Sequence, residues 1–158
     1  MIIKTIRDED FTNYKEPCML IGFPRCSFKC EEECGKKMCQ NSSMALSEDI
    51  EIDPEKIVKR YMKNPITTSV VFGGLEPFDS WIDVVALVGE FRRHTDDTIV
   101  IYTGYNEDEI QPLVDWLKNN SSNIVIKFGR FIPDQQKHFD DVLGIYLASD
   151  NQYAERIC

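Results

Sequence analysis

Four cysteines fall within fourteen residues, in the order Cys26-Ser-Phe-Lys-Cys30-Glu-Glu-Glu-Cys34-Gly-Lys-Lys-Met-Cys39. Thiolates packed this densely commonly hold metal. Separations of three and four residues let one loop, residues 24–42, wrap a single ion or a cluster. Two chemistries compete for it. Four thiolates closed around one zinc ion make a structural site with no open position. Three thiolates on a 4Fe-4S cluster leave one iron free to take a ligand. Zinc knuckles usually carry tight Cys-x2-Cys pairs, and this loop has none.

The cysteine loop follows a short apolar run, Met19–Phe23, which reads as a buried strand. Asp53-Pro54 then starts a helix, with Ile57, Val58, Tyr61 and Met62 on its apolar face and Asn64-Pro65 ending it. Thr68–Phe72 is a second strand, running into the tight turn Gly73-Gly74-Leu75-Glu76-Pro77. Ser80 with Asp83 has the form of a capping box for a helix that buries Trp81, Val84, Val85 and Val88. Thr98–Tyr102 is a third strand, ending in Thr103-Gly104-Tyr105. Asn106 with Glu109 caps a third helix carrying Ile110, Leu113, Val114 and Leu117 inward; Pro112 requires that helix to start late or kink. Asn123–Lys127 is a fourth strand and Leu143–Leu147 a short further one. This alternation predicts one α/β domain over residues 1–158 with a mainly parallel sheet. In such sheets ligands gather at the carboxyl ends of the strands. The cysteine loop, the Gly-Gly turn and the Thr-Gly-Tyr turn all follow strand ends and should meet on one rim.

Composition narrows the function classes. A net charge of −9 argues against a nucleic-acid partner, which needs a basic surface. No apolar run approaches the ~20 residues of a membrane span, and Met1–Arg7 lacks the form of a signal peptide. The expected location is the cytoplasm, where thiols stay reduced and a disulfide framework is not expected.

Taken together, five segments resemble the radical S-adenosylmethionine (SAM) enzymes, and more narrowly the small activating enzymes of anaerobic ribonucleotide reductase. Cys26-Ser-Phe-Lys-Cys30 matches the first half of the family's Cys-x3-Cys-x2-Cys motif. For the third position, Cys34 is nearer in register, but Cys39 has the matching neighbours, Met38 before it and Gln40-Asn41 after it. Cys39 is preferred, with an insertion inside Glu31–Lys37; Cys34 is then a spare thiol or a fourth ligand in a resting form. Gly73-Gly74-Leu75-Glu76-Pro77 is similar to the family's Gly-Gly-Glu-Pro with one residue inserted. Tyr102-Thr103-Gly104-Tyr105, Gly129-Arg130-Phe131 and Ser149-Asp150-Asn151-Gln152 resemble its later segments, in the same order.

The resemblance implies an incomplete (β/α) barrel, a 4Fe-4S cluster on Cys26, Cys30 and Cys39, and SAM held by Gly73, Gly74, Glu76, Thr103 and Gly104. It implies reductive cleavage of SAM to form a glycyl radical on a large reductase subunit, with electrons from a donor such as a flavodoxin or ferredoxin. No catalytic side chain is assigned. The non-enzymatic alternative is a 4Fe-4S or zinc-binding module derived from this family.

Three departures stand out. Asn13-Tyr-Lys-Glu-Pro17 replaces the family's Asn-Gly-Pro-Gly, Phe128 replaces the Asp before Gly-Arg-Phe, and Tyr153 replaces an Arg. Cys18 and Cys158 read as a core residue and a tail thiol. Trp81 and Trp116 read as core, and Glu31-Glu32-Glu33 as a solvated run that, next to an anionic cluster, should lower its reduction potential somewhat.

Overall fold

The computed structural model describes residues 1–158. In chain order the elements are strands β1 (Ile2–Ile3), β2 (Thr5–Asp10) and β3 (Cys18–Phe23), helices α1 (Lys29–Cys34) and α2 (Ser42–Ala45), strand β4 (Ile50–Glu51), helix α3 (Pro54–Met62), strand β5 (Ser69–Gly74), helix α4 (Trp81–Arg92), strand β6 (Thr98–Tyr102), helix α5 (Gln111–Asn120), and strands β7 (Ile124–Phe128), β8 (His138–Asp140), β9 (Ile145–Leu147) and β10 (Tyr153–Arg156).

Six strands form one sheet in the order β10-β7-β6-β5-β3-β2. The four central strands are parallel, and the two edge strands run antiparallel to their neighbours. Each parallel strand is placed beside the one before it in the chain. Right-handed crossovers that always step the same way put their helices on the same side. The period-two alternation of strand side chains then divides the core in two. Met19, Ile21, Phe23, Phe72, Ile99, Ile101, Ile126 and Phe128 pack with Ile57, Leu87, Phe91, Val114 and Leu117 of the helices. Cys18, Leu20, Val71, Val100 and Val125 point the other way and are covered by Tyr14, Leu143 and Leu147. Both faces are apolar because both are covered.

Local chemistry explains where the elements begin and end. α3 starts at Pro54, whose fixed φ suits the first helical turn. Ile57, Val58 and Tyr61 are buried, but Met62, the last residue of that helix, is 51% exposed rather than part of its apolar face. Ser80 makes no capping bond. A 3-10 turn, Pro77–Ser80, precedes α4 instead, and the Ser80 hydroxyl is buried without a partner. Asn106 and Glu109 do form a reciprocal capping box, but around a 3-10 turn, Glu107–Glu109. α5 therefore starts late, with Pro112 in its first turn, where a missing N–H costs nothing. Trp81 and Trp116 meet edge to face with ring centroids 5.6 Å apart, and Trp116 stays 38% exposed, so it belongs to the surface edge of the core.

Candidate functional site

The carboxyl ends of β3, β5, β6 and β7 lie side by side, and each runs into one of the segments singled out in the sequence. β3 leads into the cysteine loop. That segment is not irregular throughout, because Lys29–Cys34 is a helix. Helix α1 ends at Gly35, and Cys30 and Cys34 fall four residues apart on one of its faces.

The loop is tied to the rim along its length. Glu76 N–H donates to the Arg25 carbonyl (2.8 Å) and Ser27 N–H to Asp79 Oδ2 (2.6 Å). Asp79 Oδ1 accepts from the Tyr105 hydroxyl (2.6 Å). Further along, the Glu31 carboxylate accepts both Met38 N–H and Cys39 N–H at 3.0 Å on a single oxygen. Beyond Cys39, Asn41 Nδ2 donates to the Gly74 carbonyl (2.7 Å).

A cleft opens between loop and rim, lined by Cys26, Cys30, Glu76, Gly104, Tyr105 and Arg130 among others. All four loop cysteines are half-buried free thiols. Burial pushes the Cys26 thiol up to about 11, even though Phe28 N–H donates to its sulfur (3.2 Å). Burial also raises Cys30, and the thiol acting on it most strongly is Cys39. Metal loading must displace these protons. No three His, Cys, Asp or Glu side chains are arranged to hold a single ion. Thiolates around one zinc stand about 3.8 Å apart, from a bond length near 2.3 Å. Thiolates on a cluster bind separate irons and stand wider. The donor set, soft sulfur on a tethered loop, suits an iron–sulfur cluster and zinc alike.

The end of β5 and the turn after it hold three of the expected cofactor-binding residues, Gly73, Gly74 and Glu76. Gly74 has φ 90°, and a Cβ there would lie 2.7 Å from Gly22 Cα and 2.8 Å from Phe23 N. Pairing with β3 therefore demands glycine whether or not a ligand is present. Gly73 is different: the nearest atom to a Cβ is 3.6 Å away, an ordinary contact.

Glu76 is 4% exposed. Its Oε1 accepts Phe78 N–H (3.1 Å) and its Oε2 accepts Gly104 N–H (2.8 Å), so one carboxylate stitches the end of β5 to the end of β6. Burial lifts its pKa to about 7, against the pull of Gly104, Thr103 and Phe78. Thr103 is buried beside it, and its hydroxyl oxygen accepts Tyr105 N–H (3.0 Å).

Two contributors were not legible as site residues. Lys127 sits on β7 and is 7% exposed, on the face away from the helices. Burial lowers it to about 8, with the Glu76 carboxylate opposing, and its ammonium donates to the Gly129 carbonyl (2.8 Å). The neighbouring Phe128 points into the helix-side core. Arg130 forks onto Glu109 with two 2.6 Å bonds, reaches Glu33 of α1 at 3.2 Å, and lies over the Tyr105 ring. The Ser149–Gln152 segment braces this corner. Asn151 Nδ2 donates to the Arg130 carbonyl (2.9 Å), and Gln152 Nε2 to that of Gly129 (3.3 Å). A lysine in a strand-like run gives no sequence sign of its face, and the pairing of Arg130 with Glu33 spans almost a hundred residues.

No helix is long and apolar enough to cross a membrane. No curated protein and no solved structure matches the chain. A family model described as a 4Fe-4S single cluster domain matches residues 18–152, from the start of β3 through the Gln152 brace. The chain belongs to the 4Fe-4S single cluster domain family.

Proposed function

We propose that this protein is a radical SAM activating enzyme whose substrate is the large glycyl-radical subunit of an anaerobic ribonucleotide reductase. The observation carrying this reading is the meeting of the cysteine loop, the Gly73–Pro77 turn, the Thr103–Tyr105 turn and Arg130 around one cleft at the carboxyl edge of a parallel sheet. In this reading Cys26, Cys30 and Cys39 hold the cluster, and Gly73, Glu76 and Gly104 border the SAM site. When bound, the pair supplies one-electron reductive cleavage of SAM and a radical able to take hydrogen from a glycine Cα. The chain itself places the loop over the rim through Asp79, Tyr105 and Asn41. Its buried Glu76 and Lys127 set the charge beneath the cleft. In this reading the barrel is incomplete, and the open edges of the six-stranded sheet leave room for a partner's glycine loop. An electron donor such as flavodoxin or ferredoxin would reduce the cluster.

The internal reasons for Gly74 and Glu76 favour a second reading, a non-catalytic cluster-binding module. One experiment separates the two. Reduced protein, SAM and the anaerobic reductase from the same source are mixed without oxygen and examined by electron paramagnetic resonance. A glycine-centred doublet that needs all three components supports activation. Cluster signals without SAM cleavage support the module. SAM cleavage that modifies a small molecule and leaves no protein radical sinks the assignment of substrate.

A further inference from the structure

The loop joins Cys30 to Cys39 through eight intervening residues, a span in which the chain has little reason to bring its last thiol back. Helix α1 carries the chain away from Cys30, and Gly35, Lys36 and Lys37 are exposed. Free loops of this kind keep their ends together only at an entropic cost. The fold meets it with one side chain. Glu31 is the residue after Cys30, and its Oε1 accepts the backbone N–H of Met38 and of Cys39, each at 3.0 Å. The next two acids of the run make no such contact. Glu32 is exposed, and Glu33 turns to Arg130. Beyond Cys39 the loop is held again, by Asn41 on the Gly74 carbonyl.

Resting on the cluster reading above, we infer that Glu31 is a positioning residue: its carboxylate clamps the Met38–Cys39 backbone and so brings Cys39 to the cluster beside Cys30. The long insertion is tolerated because this clamp replaces a tight cysteine spacing. A second consequence follows from which groups it occupies. Backbone N–H groups that bond to cluster sulfur raise the reduction potential, and a nearby negative charge lowers it. Glu31 withholds two such donors and adds a charge, so it acts to keep the potential low.

Both accepted bonds fall on one oxygen, so a glutamine can keep them while losing the charge. The test is anaerobic reconstitution of the full chain with limiting iron and sulfide. Bound iron, resistance to a chelator and the reduction potential are recorded for wild type, Glu31→Gln, Glu31→Ala, Glu31→Asp and Glu32→Ala. Loss of an outer partner typically costs 10–100-fold in metal affinity, and a loss of about that size is expected for Glu31→Ala and for the shorter Glu31→Asp. Glu31→Gln should retain the cluster and shift its potential upward. Glu32→Ala, which removes the same charge one residue away, should hold iron like wild type. Glu31 lies outside both apolar cores, so the fold of each variant is checked by its unfolding curve. If Glu31→Ala holds the cluster as firmly as wild type, or Glu31→Gln loses it as completely as Glu31→Ala, the clamp is refuted while the cluster reading stands. A wild-type chain that takes up no iron–sulfur cluster refutes both.

Discussion

Lys127 should make this protein less stable than it needs to be. A buried ammonium is poorly solvated, and here it has one acceptor, the Gly129 carbonyl at 2.8 Å. Burial moves its pKa from 10.5 to about 8. At about 1.4 kcal/mol per tenfold change in proton affinity, keeping it charged at pH 7 costs about 3 kcal/mol. Lys127→Met keeps the aliphatic stem and removes that cost. It also removes one hydrogen bond, worth about 1 kcal/mol net, and the favourable charge beside Glu76. The variant should be more stable than wild type at pH 7 by about 1–2 kcal/mol. A group whose folded pKa is depressed contributes stability above its unfolded value and loses it as pH falls through the folded one. Wild type therefore recovers as pH rises from about 8 toward 10.5, and the gap between the proteins should shrink by about 2 kcal/mol at pH 10. Urea unfolding at both pH values reads it directly. A Met variant less stable than wild type at pH 7, or a gap unchanged at pH 10, refutes the reasoning.

Other outcomes follow from the same rim. Glu76 is the converse case: its folded pKa, about 7, lies above the ordinary 4.5, so its contribution is complete below pH 4.5 and lost as pH rises through 7. The stability advantage of wild type over Glu76→Gln should thus fall by about 3 kcal/mol between pH 4.5 and pH 8.5, measured by unfolding curves. Gly74→Ala must place a side chain at φ 90° and within 2.8 Å of β3 backbone atoms, so it should cost more than the 1–2 kcal/mol of a left-handed residue alone, roughly the conformational part only. Gly73→Ala has ordinary space and should fold normally, so weakened SAM binding by calorimetry in that variant reports on the ligand; unchanged binding removes Gly73 from the SAM site. Arg130 holds the Glu109 carboxyl down to about 2, but the pair is partly solvated; Glu109→Gln should cost no more than about 1 kcal/mol, less at high salt.

The parallel core was legible because its residues obey short-range rules. Runs such as Thr98–Tyr102 are β-branched and bounded by turn residues, and Pro54 and Pro112 mark helix starts by what proline cannot do. The edge strands β2 and β10 were not, since Thr-Ile-Arg-Asp-Glu-Asp and Tyr-Ala-Glu-Arg are polar and become strands only by pairing with β3 and β7. Helix α1 was hidden in the cysteine motif, which drew the eye to ligands and away from a run of good helix formers, Lys29 to Glu33.

The same limit governs the site, and it cuts in two directions. Motif residues with local reasons were easy to find and are hard to assign. Gly74 is explained by its distance to Gly22, and Glu76 by two backbone N–H groups, before any cofactor is considered. Residues without a local reason carry no sequence sign of a site role and are more informative. Lys127 keeps a buried ammonium with one acceptor, the Gly129 carbonyl, and Glu31 reaches seven and eight residues along its own loop to hold the Met38 and Cys39 N–H groups. A side chain whose placement costs stability, or that orders a loop around a thiol, is better evidence of a working centre than a glycine the sheet itself requires. For this chain the decisive variants are therefore at Glu31 and Lys127, outside the five segments that resemble the family by more than adjacency, while Gly74 reports mainly on folding.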